Sequence, residues 1–335
     1  MQPCINRDEF FLYVSGGGIG TVRRYCPATE KFSKPFNGHK GPVTELVLSN
    51  DPERGQRLYT AAWDYKVHEW DVCTREILRT FSLHTDIVKC MCISPCEKYI
   101  FTGGADSRIY KIDLDTFEAV QTYEGHHRYV TKVMCLELTS YNRTVLISVG
   151  SDNFLCVFDV DTGARLAYFR AHETSLYALA YREGELWTGS ADKDFKSWSL
   201  DDLMTGEYLD SAPTPLEHQR FDFWVTAFGF TSSEVFVGLG NGEIHVYDLA
   251  TMEKRRVLDY HIDFVSVIMP MGDKLLTSSY DYTIKRDYQI PRAPVEEDTE
   301  EESSYDFSAS DNEDDDKIKQ IQEARFRAMM SLKQE

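Results

Sequence analysis

A turn motif recurs seven times along this 335-residue chain, at intervals of 40 to 49 residues. Each copy lies within short β-rich runs, and no long helical pattern interrupts them. The residues at the shared turn position are Ile19, Asp64, Asp106, Asp152, Asp192, Asn241 and Asp281. A repeat of this period predicts one small sheet per unit, with neighbouring units covering its faces.

A histidine before a short loop and an apolar strand start forms a second repeated marker. It occurs in five of the seven units, as His39, His84, His126, His172 and His261. In the sixth unit His218 lies three residues too early relative to Val225, so its equivalence is left open.

Gly-His, a strand, Ser/Thr-x-x-x-Asp and then Trp-Asp together resemble the repeat of the WD-repeat family, over roughly residues 4–290. The resemblance implies an all-β fold, a seven-bladed β-propeller over residues 1–290. Radial stacking suits these short sheets, because it buries both faces and exposes only short edges.

In the WD-repeat family the histidine, a strand Ser/Thr, the turn Asp and the Trp form a hydrogen-bonded set. Carried over by position, the complete sets are His39, Thr60, Asp64 and Trp70, and His172, Thr188, Asp192 and Trp198. Other units put Ile112, Phe158, Tyr247 or Asp287 at the Trp position. We interpret the sets as structural rather than catalytic, because they recur from unit to unit and buried Asp and His need partners.

The sequence contains no motif that indicates an enzyme, a cofactor or a metal. The side chains of Cys90 and Cys92 are expected on the same face of a strand, and Cys96 lies in the next turn. No further ligand lies nearby to complete a zinc site. No phosphate-binding glycine loop or nucleophile elbow is present. We therefore expect no catalytic, cofactor-binding or metal-binding residues.

The formal net charge of −19 argues against direct nucleic-acid binding, which requires clustered Lys and Arg. No apolar run of ~18 residues predicts a membrane span. The N-terminus does not have the pattern of a signal peptide, and the eight cysteines form no regular framework. We expect an intracellular protein, cytoplasmic or nuclear.

Partner proteins are expected on one face of the propeller. In the WD-repeat family, common contact positions lie before the turn Asp and beside the first apolar residue of the inner strand. These positions hold Trp63, Lys89, Tyr129, Tyr177, Trp224, Phe264 and Tyr280. Six of the seven are aromatic, the residue type enriched at binding hot spots. Asp86, Asp222 and Asp263 lie in the same loops and would favour a basic peptide.

The repeat ends at residue 290. Residues 291–316 contain an acidic run and are expected to be a disordered linker, whereas the helix formers of 317–335 predict a short C-terminal helix that either binds a partner or stays solvated. Ser303, Ser308 and Ser310 each precede an acid by three residues, a pattern typical of acidophilic kinase sites.

The closure of the ring is predicted to be unusual. Only nine residues precede the run Phe10–Ser15, enough for a short first strand of blade one but not also for an outer strand of blade seven. We expect blade seven to have three strands or to close weakly.

We expect a non-enzymatic scaffold or adaptor, a monomer within a larger complex. One alternative is a nuclear assembly factor for ribosome biogenesis or chromatin, whose acidic tail holds basic proteins. The other is a ubiquitin-ligase substrate receptor, although no unit ends in the Trp-Asp-x-Arg that some such receptors carry.

Overall fold

A computed structural model describes residues 5–7, 12–15, 20–26, 31–51, 54–205, 212–272 and 274–289. These residues form seven antiparallel sheets, which we number as blades one to seven in chain order. They belong to one compact unit, Met1–Arg292. The predicted seven-bladed β-propeller is confirmed.

The first four blades comprise seventeen strands and one 3-10 turn. Blade one contains Ile5–Arg7, Leu12–Ser15, Thr21–Cys26, Lys31–Phe32 and Phe36–Asn37; blade two Val43–Ser49, Arg57–Ala62, Val67–Asp71 and Ile77–Phe81; blade three Val88–Ile93, Tyr99–Gly104, Ile109–Asp113 and Ala119–Tyr123; blade four Val130–Leu138, the 3-10 turn Thr139–Tyr141, Arg143–Gly150, Phe154–Asp159 and Arg165–Arg170. The two shortest strands of blade one both pair with Thr21–Cys26, so together they occupy the position of the outer, fourth strand of that blade.

The last three blades complete the ring. Blade five contains Leu176–Arg182, Glu185–Ser190, Asp194–Ser199, the helix Leu200–Thr205 and His218–Arg220; blade six Val225–Phe230, Glu234–Leu239, Glu243–Asp248 and Lys254–Asp259; blade seven Val265–Met271, Lys274–Ser279 and Ile284–Gln289. The helix packs on Trp198 through Leu200 and Leu203, which are buried in the same apolar cluster.

The second strand of each complete blade is buried on both faces. In blade two every residue of Leu58–Ala62 is buried, and in blade six every residue of Glu234–Leu239 is. Neighbouring blades cover the two faces, which explains why these strands are apolar almost without alternation. From blade two to blade seven, the first strand of each blade contacts that of the next, so these strands lie nearest the ring axis.

One position of the repeated turn has the same backbone conformation in all seven blades. The residue after the turn position is left-handed in each, namely Gly20, Tyr65, Ser107, Asn153, Lys193, Gly242 and Tyr282. From blade two onward the Asp or Asn side chain accepts the amide hydrogen two residues later, as Asp64 does from Lys66 at 3.2 Å. This is the turn that Asp and Asn stabilise locally, which accounts for their recurrence.

Blade seven has three strands in the described part of the chain, as the sequence predicted. Ile5–Arg7 pairs with Leu12–Ser15, so the N-terminal residues supply the first strand of blade one. Leu12 and Val14 share an apolar cluster with Leu276 of blade seven, and this packing closes the ring.

The assignment of Asp287 to the Trp position of blade seven is wrong. In blade two Trp70 pairs with Leu58, whereas the corresponding Leu275 pairs with Tyr288. A β-bulge inserts one extra residue in the last strand and shifts the register.

The predicted linker and helix, 291–316 and 317–335, lie outside the described residues, as do Ser303, Ser308 and Ser310 and the blade-one turn residue Ile19. Within the described residues, no helix is long and apolar enough to cross a membrane.

Candidate protein-binding surface

The predicted set in blade two is hydrogen-bonded throughout. The His39 ring lies between Asp64 and Thr60, with Nδ1 3.0 Å from Asp64 Oδ2 and Nε2 2.7 Å from Thr60 Oγ1. Trp70 Nε1 donates to the same Thr60 hydroxyl at 2.8 Å. The set therefore ties the loop before the blade to its second and third strands.

The same contacts recur in blade five and, without the Trp, in three further blades. In blade five His172 Nδ1 lies 3.0 Å from Asp192 Oδ2 and Trp198 donates to Thr188 at 2.9 Å. Matching His–Asp and His–Ser/Thr bonds join His84, Asp106 and Thr102; His126, Asp152 and Ser148; and His261, Asp281 and Thr277. Five near-identical arrangements favour a structural role over a single reaction centre.

Phe221 occupies the histidine position of blade six, which the sequence reasoning missed. It lies four residues before Val225, the spacing that separates every set histidine from its strand. Its buried ring meets Tyr247 edge-on at 6.1 Å. His218 instead belongs to the outer strand of blade five, half-exposed beside Asp194. Blade six thus replaces the polar set with apolar packing.

Electrostatics in blade two are set by burial and hydrogen bonding. Burial opposes ionisation of Asp64, but bonds from His39 and the Lys40 amide outweigh it and lower its pKa to about 2. Burial and the neighbouring His39 lower the pKa of His68 to about 4.

Ligand atoms of His39, Asp64 and His68 lie within 4.8 Å of one another. Both nitrogens of His39 are already engaged, which makes these residues poor metal ligands as arranged.

The seven residues predicted to bind partners come together around one depression. We call them the aromatic rim: Trp63, Lys89, Tyr129, Tyr177, Trp224, Phe264 and Tyr280. All except Trp63 line a depression of about 350 Å³, and Trp63 adjoins it through Lys89.

Backbone hydrogen bonds fix the positions of the rim residues. The amide of Tyr280 donates to the carbonyl of Phe264 at 2.9 Å, and the amide of Trp63 donates to that of Pro42 at 2.9 Å. Equivalent bonds occur in each blade between two and seven, so the turn and the loop before the first strand are joined at one end of every blade. Side chains from these two segments therefore collect on a single face.

Contacts between rings continue around the rim. Tyr177 stacks on Trp224 with ring centres 5.8 Å apart, Trp224 meets Phe264 at 5.3 Å, and Phe264 meets Tyr280 at 5.6 Å. Trp63, Tyr129 and Trp224 remain 47%, 45% and 38% exposed. Large aromatic side chains that stay exposed while ordered by neighbours resemble binding hot spots.

Charged groups at the rim are unevenly placed. Lys89 Nζ lies 5.7 Å from the ring centre of Trp63 and 5.6 Å from that of Tyr129. Asp263, from the loop before blade seven, also lines the depression, and exposed Asp222 precedes Trp224 by two residues. Asp86 is partly buried near Lys89 and accepts the Ile87 amide at 2.7 Å.

A larger depression of about 560 Å³ lies between blades five and six. It is lined by Glu183, Glu185, Glu217 and Asp248 over Trp187, and it contains no rim residue. Size alone would favour it, but the rim has the exposed aromatic side chains that recognition uses.

The family model described as "WD domain, G-beta repeat" matches residues 30–71, 75–113 and 117–159. These matches end at the third strands of blades two, three and four.

Two relatives illustrate the similarity to known proteins. An uncharacterized WD repeat-containing protein of Schizosaccharomyces pombe is 27% identical over 266 residues, 76% of this chain and 69% of the relative. The U3 small nucleolar RNA-associated protein 15 homolog of Gallus gallus is 25% identical over 244 residues, and the aligned part covers 72% of this chain but only 44% of that protein.

Among solved structures, the computationally designed Ika8 protein superposes with a TM-score of 0.64 at 19% identity. The match covers 86% of this chain and 96% of that chain. Identity this low shows a shared fold and no more.

Proposed function

We propose that this protein, a WD-repeat β-propeller, is a non-enzymatic platform that binds partner proteins or peptides on its aromatic rim. The observation that carries the proposal is the gathering of exposed Trp63, Tyr129 and Trp224 from three blades around one depression. Rings that are held by their neighbours lose little conformational freedom on binding, so their contact area contributes to affinity.

A comparative pull-down tests the proposal. Intact protein and a Trp63→Ala/Trp224→Ala variant are used as baits in eukaryotic lysate, and bound proteins are quantified by mass spectrometry. The matched control is Phe32→Ala/Tyr181→Ala, which removes two aromatic rings of similar exposure away from the rim. We expect the rim variant alone to lose the main partners while keeping the wild-type melting temperature. Equal recovery by all three baits would overturn the proposal.

A second candidate function is nuclear assembly, with the acidic segment holding basic proteins. Its support is the run Glu296–Asp316, with twelve acidic residues and no basic one, together with the similarity to a protein named for association with a small nucleolar RNA. Full-length protein with these acids changed to Asn and Gln should then lose basic nuclear partners and keep rim-dependent ones. Loss of neither class would contradict it.

A further inference from the structure

We infer that the aromatic rim binds a partner segment carrying an acidic side chain next to an apolar or aromatic one, with the acid paired to Lys89. The inference rests on the proposed function and specifies the chemistry of its partner. It assigns Lys89 as the anchor for charge and the rings of Tyr129, Tyr177 and Trp224 as the surface for the apolar side chain.

The cation-binding position between the rings of Trp63 and Tyr129 is already filled by Lys89. The Lys89 ammonium lies at nearly equal distances from Trp63 and Tyr129. A cation above an aromatic face is attracted by the ring quadrupole, and here the protein supplies that cation itself. A partner Lys or Arg at the same position would meet like charge, whereas an acid would meet an attractive one.

Lys89 has no acidic partner among the residues that the structure describes. Within the described residues its ammonium makes no ion pair, whereas Lys132 in the same depression lies 2.8 Å from a Glu45 oxygen. Burial lowers the pKa of Lys89, and the nearby charge of Asp86 only opposes that effect. A partly desolvated ammonium gains most from an anion that completes its hydrogen bonds.

Acidic residues of the rim loops are concentrated beside blades six and seven. Asp263 lies with Phe264 and Tyr280 in blade seven, and Asp222 belongs to the loop before blade six. These carboxylates disfavour a partner acid beside blades six and seven. Because Lys132 is already paired with Glu45, Lys89 is the favoured position for an acidic residue, even with Asp86 nearby. A bound segment is therefore oriented by charge, and a basic side chain such as the sequence led us to expect would lie toward blades six and seven.

A display experiment tests the inference without a known ligand. A phage-displayed library of random twelve-residue peptides is selected on immobilised full-length protein and on three variants: Lys89→Met, Trp224→Ala and Lys98→Met. Lys98 is the matched control, an exposed lysine of the same blade outside the rim. Enriched sequences are compared with the unselected library.

We expect wild type and Lys98→Met to enrich Asp or Glu beside aromatic or large apolar residues. Lys89→Met should keep the aromatic enrichment and lose the acidic one. A selected peptide should bind Lys89→Met at least about tenfold more weakly, the loss expected for one charge-assisted hydrogen bond. Lys89→Arg should restore most of the affinity.

The outcomes separate the inference from the proposed function. Peptides that depend on Trp224 would overturn the inference alone in either of two cases: acidic residues stay equally enriched with Lys89→Met, or wild type enriches basic residues without acidic ones. Peptides that bind Trp224→Ala as well as wild type, or no enrichment on wild type, would overturn the rim as the binding surface and the inference with it.

Discussion

The ammonium of Lys132 in blade four lies 2.8 Å from a carboxylate oxygen of Glu45 in blade two. The first strand of blade three contacts those of both blades, so the pair links units that are not neighbours in the ring. Both side chains are mostly buried, and their attraction is screened less than that of a surface pair.

Lys132→Met should therefore lower the free energy of unfolding by about 1–3 kcal/mol, because the Glu45 carboxylate loses its partner while partly buried. Chemical denaturation measures the change, and Glu45→Gln combined with Lys132→Met should cost less than the sum of the single changes. Arg170→Met is the control, since its pair with Glu173 is exposed and should contribute less than about 1 kcal/mol. Additive single effects would show that the two charges do not interact.

His68 should make the protein sensitive to mild acid. Its pKa is lowered to about 4 in the folded state, so below about pH 6.5 the unfolded chain binds a proton that the folded chain excludes. The contribution of His68 to stability is then full above pH 6.5 and falls as the pH drops toward 4, by about 2 kcal/mol between pH 7.5 and pH 5.

The matched variant is His68→Tyr, because Tyr110 occupies the same register position in blade three. Denaturation at the two pH values should show a smaller acid loss for this variant than for wild type. Identical losses would mean that His68 titrates normally.

Asp64→Ala should destabilise the fold rather than remove a reaction. The Asp64 carboxylate accepts hydrogen bonds from His39 and from the amides of Lys40 and Lys66, so about 2–4 kcal/mol should be lost. Asp86→Ala, which loses one local bond, should cost less than about 1 kcal/mol. An Asp64→Ala protein with wild-type stability but no partner binding would contradict the structural interpretation.

Gly242→Ala should be much more harmful than Gly184→Ala, although both glycines have positive φ. A Cβ at Gly242 would lie 2.1 Å from the His261 carbonyl oxygen, whereas nothing lies within 4 Å of one at Gly184. Gly184→Ala should cost about 1 kcal/mol from backbone strain alone, and Gly242→Ala at least about 2 kcal/mol more. Equal shifts of the melting temperature would show that the backbone relaxes around residue 242.

The seven blades could be predicted from the repeated turn, and the His–Asp contacts from the resemblance to the WD-repeat family. An Asp that stabilises its own turn recurs at the same position in five of the seven units, for example as Asp64 and Asp192. Phe221 could not be recognised by residue type, because the repeated marker is a histidine. Its four-residue spacing from Val225 would have identified it as the residue at the histidine position of blade six. The pairing of Tyr288 with Leu275 could not be inferred, because a β-bulge adds one residue to a strand without a recognisable sequence pattern.

The rim could be predicted as a set of positions but not as an arrangement. The resemblance to the WD-repeat family supplies the common contact positions in each blade, and these include Trp224 and Phe264. The insertion of Lys89 between Trp63 and Tyr129 depends on the distance and rotation between successive blades. Those quantities are set by side-chain packing across the sheets, which a single sequence does not contain.

The seam, where blade one packs against blade seven, makes this ring behave as a linear array of blades whose first and last members are in contact. No sheet in the described residues combines strands from both ends of the chain, and Leu12 and Val14 reach Leu276 by side-chain packing alone. Breaking such a contact disrupts no backbone hydrogen bonds between strands, so the ring should open locally at this seam before any blade unfolds. Amide protons on either side of the seam would then exchange with solvent earlier than those of blades three to five.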